Sequence, residues 1–312
     1  MKNLYKLPEL IINNMEKVII GKRNILKLIV ISLLASGHIL IEDVPGIGKT
    51  SMVSALSKSL GLNFKRIQFT PDILPSDITG FSMYNKHTGD FEFKPGSIMS
   101  NIILADEINR TSPKTQASML EVMEEGQVTV DGITYKLPKP FMVLATQNPI
   151  EYLGIYPLPE AQLDRFLMKI KIGYPSHKEE IKILNTYKED NPLASLIKVV
   201  ESVDILKMQQ LVKQVKVNDI INEYVVNIIF KTRTHPSISL GCSPRASLSL
   251  IRTAQAKAFV EQRDFVTPGD IKEIAAFVLA HRLILKQEEQ LKNINPADII
   301  EDILKIVKVP IK

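Results

Sequence analysis

Cysteine is nearly missing from this chain of 312 residues. Cys242 is the only one, so no disulfide framework forms within the chain, which fits a reducing compartment. The five histidines, His38, His87, His177, His235 and His281, belong to no metal motif. Excess charge of one sign is small as well. Lysine and arginine number 39 against 34 acids, a net charge of +5 and a pI near 9.0, which a solvated surface explains as well as a nucleic-acid partner does. No apolar run reaches the roughly 20 residues of a membrane span. "LIVISLLASGHILI", from Leu28 to Ile41, is interrupted by Ser32, Ser36, Gly37 and His38 and reads as a helix ending at Gly37 followed by a buried strand. The first residues, "MKNLYKLPELIINNMEK", carry acids and lack the apolar block of a signal peptide, so the expected location is cytoplasmic. Repeats and low-complexity segments are absent too.

What is present is enough for a sizeable core: 45% of residues are hydrophobic and 23% charged, and the length suits about two domains. Five short apolar runs punctuate the first half: "HILIE" (38–42), "FKRIQF" (64–69), "NIILAD" (101–106), "FMVLAT" (141–146) and "FLMKIKI" (166–172). Helix-length segments separate most of them, including 49–60 and 113–125, and residues 4–36 look helical with a break near Gly21. Strands alternating with helices predict a parallel sheet covered on both faces. Two hairpins interrupt the alternation, one turning near Gly89 and one at Asp131-Gly132. Beyond "GYPS" (173–176) the pattern becomes helical, at 177–188, 204–215, 217–232, 244–262, 268–283 and 296–307. Thr267 followed by Pro268 is a helix start. The expected architecture is an α/β core over 1–172, with a five-stranded parallel sheet, and an all-α domain over 173–312.

"ILIEDVPGIGKT" (39–50) follows a strand and precedes a helix, the setting of a phosphate-binding loop. Gly46 and Gly48 open the backbone, Lys49 can reach β- and γ-phosphates, and Thr50 can bind Mg²⁺. The strict pattern asks for glycine at position 43, where this chain has Asp43. That residue lies at the strand exit, where it must make the turn without donating to phosphate, and its carboxylate must point away. The plain alternative is a strand-turn-helix corner with an incidental lysine. A second strand ends in Asp106-Glu107, an acidic pair suited to holding Mg²⁺ through water and polarising the attacking water. Two solvated acids at an exposed strand end are the plain alternative. A third strand ends in Thr146, Gln147 and Asn148, so three strands bring polar ends to the edge where open α/β sheets bind ligands. A polar residue after a strand is otherwise a turn.

With these segments the chain resembles the MoxR family of AAA+ ATPases, over nearly its whole length. "GHILIEDVPGIGKT", "IQFTPDILPSDITG", "LADEINR", "SPKTQASMLEVMEEGQVTVDG", "ATQNPIE", "LPEAQLDRF" and "SPRASLSL" follow in that family's order. The resemblance implies ATP and Mg²⁺ as cofactors. It makes the loop from Asp43 through Val44, Pro45, Gly46, Ile47, Gly48, Lys49 and Thr50 to Ser51 the nucleotide cradle, with Ile19 and Ile20 against adenine. Thr50 and Asp106 match metal-holding positions, Glu107 the catalytic acid, and Asn148 sensor 1. Arg165 in "LDRF" matches the arginine finger, and Arg245 in "SPRAS" matches sensor 2. By spacing alone Asp164-Arg165 is a surface pair and Arg245 an ordinary helix-start residue. The two hairpins resemble inserts that face a ring's centre. The implied activity is ATP hydrolysis in a homo-oligomeric ring, a hexamer, that remodels client proteins. Proteins with a von Willebrand factor A domain are among the implied partners, though residues 177–312 carry no D-x-S-x-S run of their own. A nucleic-acid motor, a magnesium-chelatase-like subunit and a non-hydrolysing nucleotide switch stand as alternatives. The motor is disfavoured by hairpin loops of mixed charge and the lack of a helix-turn-helix or zinc module.

Overall fold

The computed structural model describes residues 4–149, 154–188 and 191–309. Ile150 and Glu151 of the "ATQNPIE" segment lie outside the described residues. Two helices open the chain, α1 (Leu7–Glu16) and α2 (Arg23–Leu34). The break falls at Gly21, whose φ of +76° favours a residue without a Cβ. There follow β1 (Ile39–Glu42), α3 (Lys49–Leu60), β2 (Phe64–Gln68) and α4 (Pro75–Thr79). A first hairpin, β3 (Gly80–Tyr84) with β4 (Phe91–Pro95), precedes β5 (Ile102–Asp106) and α5 (Pro113–Glu125). A second, β6 (Gln127–Val130) with β7 (Ile133–Lys136), precedes β8 (Met142–Gln147), α6 (Glu160–Leu163) and β9 (Met168–Ile170).

Five of these strands form one parallel sheet in the order β2-β5-β8-β1-β9. The chain leaves β1 for the far edge at β2, works back through β5 and β8, and then places β9 on the other side of β1. The direction of winding therefore reverses at β1, which opens a crevice beyond its carboxyl end. Strands β1, β5 and β8 are almost wholly buried, as unbroken apolar runs in a two-sided sheet must be. Each hairpin stands apart as a two-stranded antiparallel ribbon, and the stacked rings of Phe93 and Tyr135, 3.9 Å between centroids, join the two.

The remainder is helical: α7 (His177–Tyr187), α8 (Ser202–Gln214), α9 (Asp219–Thr234), α10 (Pro244–Val260), α11 (Pro268–Leu279), α12 (Gln287–Leu291) and α13 (Pro296–Ile306). The expected all-α lid has one addition. Strands β10 (Ile238–Leu240) and β11 (Ile284–Leu285) pair antiparallel, and segments this short carry no readable periodicity. Helix α11 starts at a capping box in which Thr267 and Asp270 bond each other's backbone amides. One hydrophobic cluster runs from α1 and α2 across a face of the sheet into α8–α11 and α13, and a second, smaller one fills the face under α5. Among the described residues no helix is long and apolar enough to cross a membrane.

Candidate active site

In-register pairing assembles the carboxyl rim of the sheet. Gln68 lies beside Asp106, Thr146 beside Ile41, and Gln147 beside Glu42. Thr146 ties the acidic pair together: its hydroxyl donates to Asp106 Oδ1 at 2.6 Å and accepts from the Glu107 amide at 2.8 Å. Glu107 is held in the left-handed region, φ 58° and ψ 49°, a strain of roughly 1–3 kcal/mol for a non-glycine residue. Its carboxylate accepts from Gln68 Nε2 at 2.7 Å and pairs with Arg110 at 3.3 Å. The other oxygen of Asp106 is covered by Arg66, at 2.6 and 3.1 Å. Asn148, at the end of β8, is buried on the same rim.

The loop after β1 is built for close approach. Gly46 and Gly48 have φ of +84° and +87°, and a Cβ on either would meet nothing within 4 Å. The amides of residues 48–51 open α3 and, as at any helix start, have no intrahelical carbonyl to bond. Lys49 rests on the Asp43 carbonyl at 2.9 Å. The Asp43 carboxylate turns away from the glycines and accepts from the amides of Ile172 and Gly173 beyond β9. Beside the loop lies a cavity of about 460 Å³ whose lining brings Ile19 and Ile20 to Gly46, Gly48 and Ser51, with Tyr174 and Tyr187 opposite.

Amides at a helix start, a lysine beside them and hard oxygen donors on Thr50 and Asp106 fit a phosphate chain with a small divalent cation, which needs few protein ligands and keeps its own water.

Arg165 and Arg245 are elsewhere. Ile39 pairs with Met168, so Arg165, just before β9, stands at the amino rim while Asp43 stands at the carboxyl rim. Four strand steps from Ile39 to Asp43 span roughly 13 Å at about 3.3 Å per residue, and Arg165 sits in the turn before that amino end, so the loop is beyond its side chain's reach. Arg245, at the start of α10, is on that same amino rim, and Glu124 grips both arginines: Oε1 meets Arg245 at 2.6 Å and Oε2 meets Arg165 at 3.1 Å. Buried Arg282 anchors the neighbouring Asp164 at 2.6 Å and bonds the Phe166 carbonyl. His38 fixes the end of α5 behind Glu124. Its Nδ1 accepts from the Val143 amide, so Nε2 carries the proton that bonds the Met123 carbonyl at 3.1 Å. Burial pushes its pKa down to about 4, so the ring is neutral at pH 7.

Arg66, Gln68 and Glu124 carry no motif, and sequence reasoning passed over them. One signal for Glu124 was there. The last turn of α5 holds acids and no base, unfavourable against the helix dipole unless cations come from outside the helix.

A glycine-opened loop and helix start beneath the crevice of a five-stranded parallel sheet, an acidic pair at the end of the next strand but one and a helical lid define an AAA+ ATPase module. Residues 38–168 match the ATPase family associated with various cellular activities, and residues 230–303 match the AAA lid domain. The chain is 52% identical to YeaC of Bacillus subtilis, covering 100% of this chain and 97% of the relative. It is 40% identical to Chaperone MoxR1 of Mycobacterium tuberculosis, covering 95% and 80%. A solved structure from Cytophaga hutchinsonii superposes with a TM-score of 0.93 at 41% identity, over 99% of this chain and 96% of that one. The chain belongs to the MoxR family of AAA+ ATPases.

Proposed function

We propose that this chain hydrolyses ATP with Mg²⁺ in a homo-oligomeric ring, six-membered by family resemblance, and uses the cycle to remodel partner proteins. The observation that carries the ring is the separation of the two rims. The phosphate loop and acidic pair lie at one rim, and the two arginines matched to transition-state roles lie at the other, bound to Glu124. Each copy then holds half a catalytic centre on each rim, and a neighbour completes it.

In this reading the amides of residues 46–51 receive the phosphates and Lys49 leaves the Asp43 carbonyl for them. Thr50 and Asp106 would hold Mg²⁺, which offsets phosphate charge when bound. Glu107, placed by the Thr146 hydroxyl and by its own left-handed backbone, accepts the proton of the attacking water. Asn148 orients that water or the terminal phosphate. Arg165 and Arg245 leave Glu124 for the neighbour's transferring phosphoryl group, whose equatorial oxygens gather charge. Both arginines are partly exposed, 27% and 51%, so their bonds to Glu124 hold them by no more than about 1 kcal/mol each and exchange readily. Protein clients are supported by the chaperone name of one relative and by the first hairpin, which exposes Phe81, Met83, Tyr84 and Phe91. Proteins with a von Willebrand factor A domain, suggested by resemblance, are the first to test, and a cytoplasmic setting goes with this role.

The test is complementation. Arg165→Ala should bind ATP normally and lose on the order of 10³–10⁵ in turnover, and Lys49→Ala should not bind. Their equimolar mixture, once subunit exchange is verified, should exceed the average of the two, because some interfaces pair an intact loop with an intact Arg165. A mixture no more active than that average would remove Arg165 from the neighbour's site.

A further inference from the structure

Asp43 occupies the position where a strict phosphate loop has glycine, and its carboxylate makes three hydrogen bonds. Oδ1 accepts from the Val44 amide at 3.0 Å, which shapes its own turn. Oδ2 accepts from the amides of Ile172 and Gly173, at 2.6 and 2.7 Å, 129 and 130 residues further along the chain. The Asp43 amide in turn donates to the Gln147 carbonyl at 3.1 Å. One residue thus joins the first corner of the loop, the end of β8 and the exit of β9.

That exit leads to the cover of the cavity. Gly173 has φ +67°, so the chain turns sharply there and runs through Tyr174 and Pro175 into α7. Tyr174, Pro175, Ile183, Leu184 and Tyr187 form the wall facing Gly46–Ser51, Ile19 and Ile20. The far side of this segment is held as well: Lys22 donates to the Tyr174 carbonyl at 2.9 Å, and Glu179 lies so close to Gly21 that a Cβ there would sit 1.9 Å from its Oε1. On the loop side, among the described residues, the Ile172 and Gly173 amides bond only Asp43.

The geometry points to Asp43 as a positioning residue that ties the Gly173 joint to the phosphate loop and so sets how α7 and Tyr174 close over the nucleoside end of the site. This rests on the nucleotide reading given above. The ionic, two-amide bond suits the task, since a carboxylate binds backbone donors more strongly than a neutral acceptor would. Directed at the phosphates, the same charge would repel them. Glycine at this position keeps the turn and loses the tie.

The discriminating variant is Asp43→Gly, which restores the strict loop pattern. Isothermal titration with ATP and with inorganic tripolyphosphate separates the two ends of the site, because tripolyphosphate needs the loop alone. Asp43→Gly should bind ATP about tenfold more weakly, a change of about 1.4 kcal/mol, and bind tripolyphosphate within about twofold of wild type. Asp43→Asn, which keeps one acceptor oxygen, should fall between and serves if the glycine variant folds poorly. Hydrogen exchange on the nucleotide-free protein should show the Ile172 and Gly173 amides losing protection in Asp43→Gly. Equal weakening toward both ligands would make Asp43 a loop-shaping residue and overturn the proposal, as would unchanged affinity for ATP. A wild-type chain that binds neither ligand would sink the nucleotide reading itself, whereas unchanged exchange at Ile172 and Gly173 would sink the tie alone.

Discussion

The two rims of the sheet are built in opposite ways. At the carboxyl rim each acid has been given a fixed place: Asp106 and Glu107 share the Thr146 hydroxyl, and Glu107 carries backbone strain to hold its direction. At the amino rim two long arginines, partly exposed, lean on one glutamate. What is fixed at that rim lies behind them, in buried Arg282 and neutral His38. In the function proposed above, the groups that would meet a proton and a cation at set distances are preorganised, and those that would reach across to another molecule are held loosely on a firm base. A stable, buried ion cluster would resist that transfer, because breaking one by removing a partner typically costs 3–5 kcal/mol.

Three measurements would break or sharpen this contrast. The largest effect is expected from Glu107→Gln, which keeps the shape of the carboxyl rim and removes the proton acceptor. ATP should still bind while turnover drops by roughly 10²–10⁴-fold. Turnover at the wild-type rate would mean that the strained acid does no chemistry.

Arg245→Ala comes next, with a loss of roughly 10² in turnover and ATP affinity unchanged. Its sharper use is in mixtures. If Arg245 and Arg165 serve one interface together, mixing Arg245→Ala with Arg165→Ala restores nothing, since every interface lacks one of them. If Arg245 serves its own loop, the mixture recovers activity, and the grouping of both arginines on the amino rim has no catalytic meaning.

The smallest effect concerns a third cluster, which shows what a non-exchanging one looks like. Lys257, buried, pairs with Asp270, Glu261 and Glu273, and Arg263 adds bonds to Asp270 and Glu261. Burial alone would raise the pKa of Asp270, but bonds from Arg263, the Thr267 amide and Lys257 outweigh it and bring the value to about 2. Glu261, likewise opposed by burial and held by Lys27, Arg263 and Lys257, also falls to about 2. Because both folded values are depressed, the stabilisation is complete above the unfolded carboxylate range near pH 4 and fades as pH falls toward 2. Thermal melts of Asp270→Asn should therefore show a lower Tm than wild type at neutral pH and a smaller further loss between pH 4 and pH 2. A parallel fall of both proteins over that window would assign the acid loss to other carboxylates.

Much of this was open to reading in the chain itself. The short unbroken apolar runs that became β1, β5 and β8, bounded by polar and turn residues, read as strands buried on both faces, and Gly46, Gly48, Lys49 and Asp106-Glu107 sit within or next to such runs, where local pattern fixes their place. Helices with capping signals, such as α11 after Thr267, were equally plain because caps act over three or four residues. The sequence also determined that something other than glycine begins the loop. Only the tertiary structure decided what that aspartate does, since the amides it holds lie 129 and 130 residues away. The same holds for Glu124, whose two arginines come from a turn before β9 and from the start of α10, and for Arg66 and Gln68, which reach the acidic pair through strand register. Spacing along a chain reports contacts within a few residues, whereas contacts of this kind follow from strand order and packing, which no local pattern encodes.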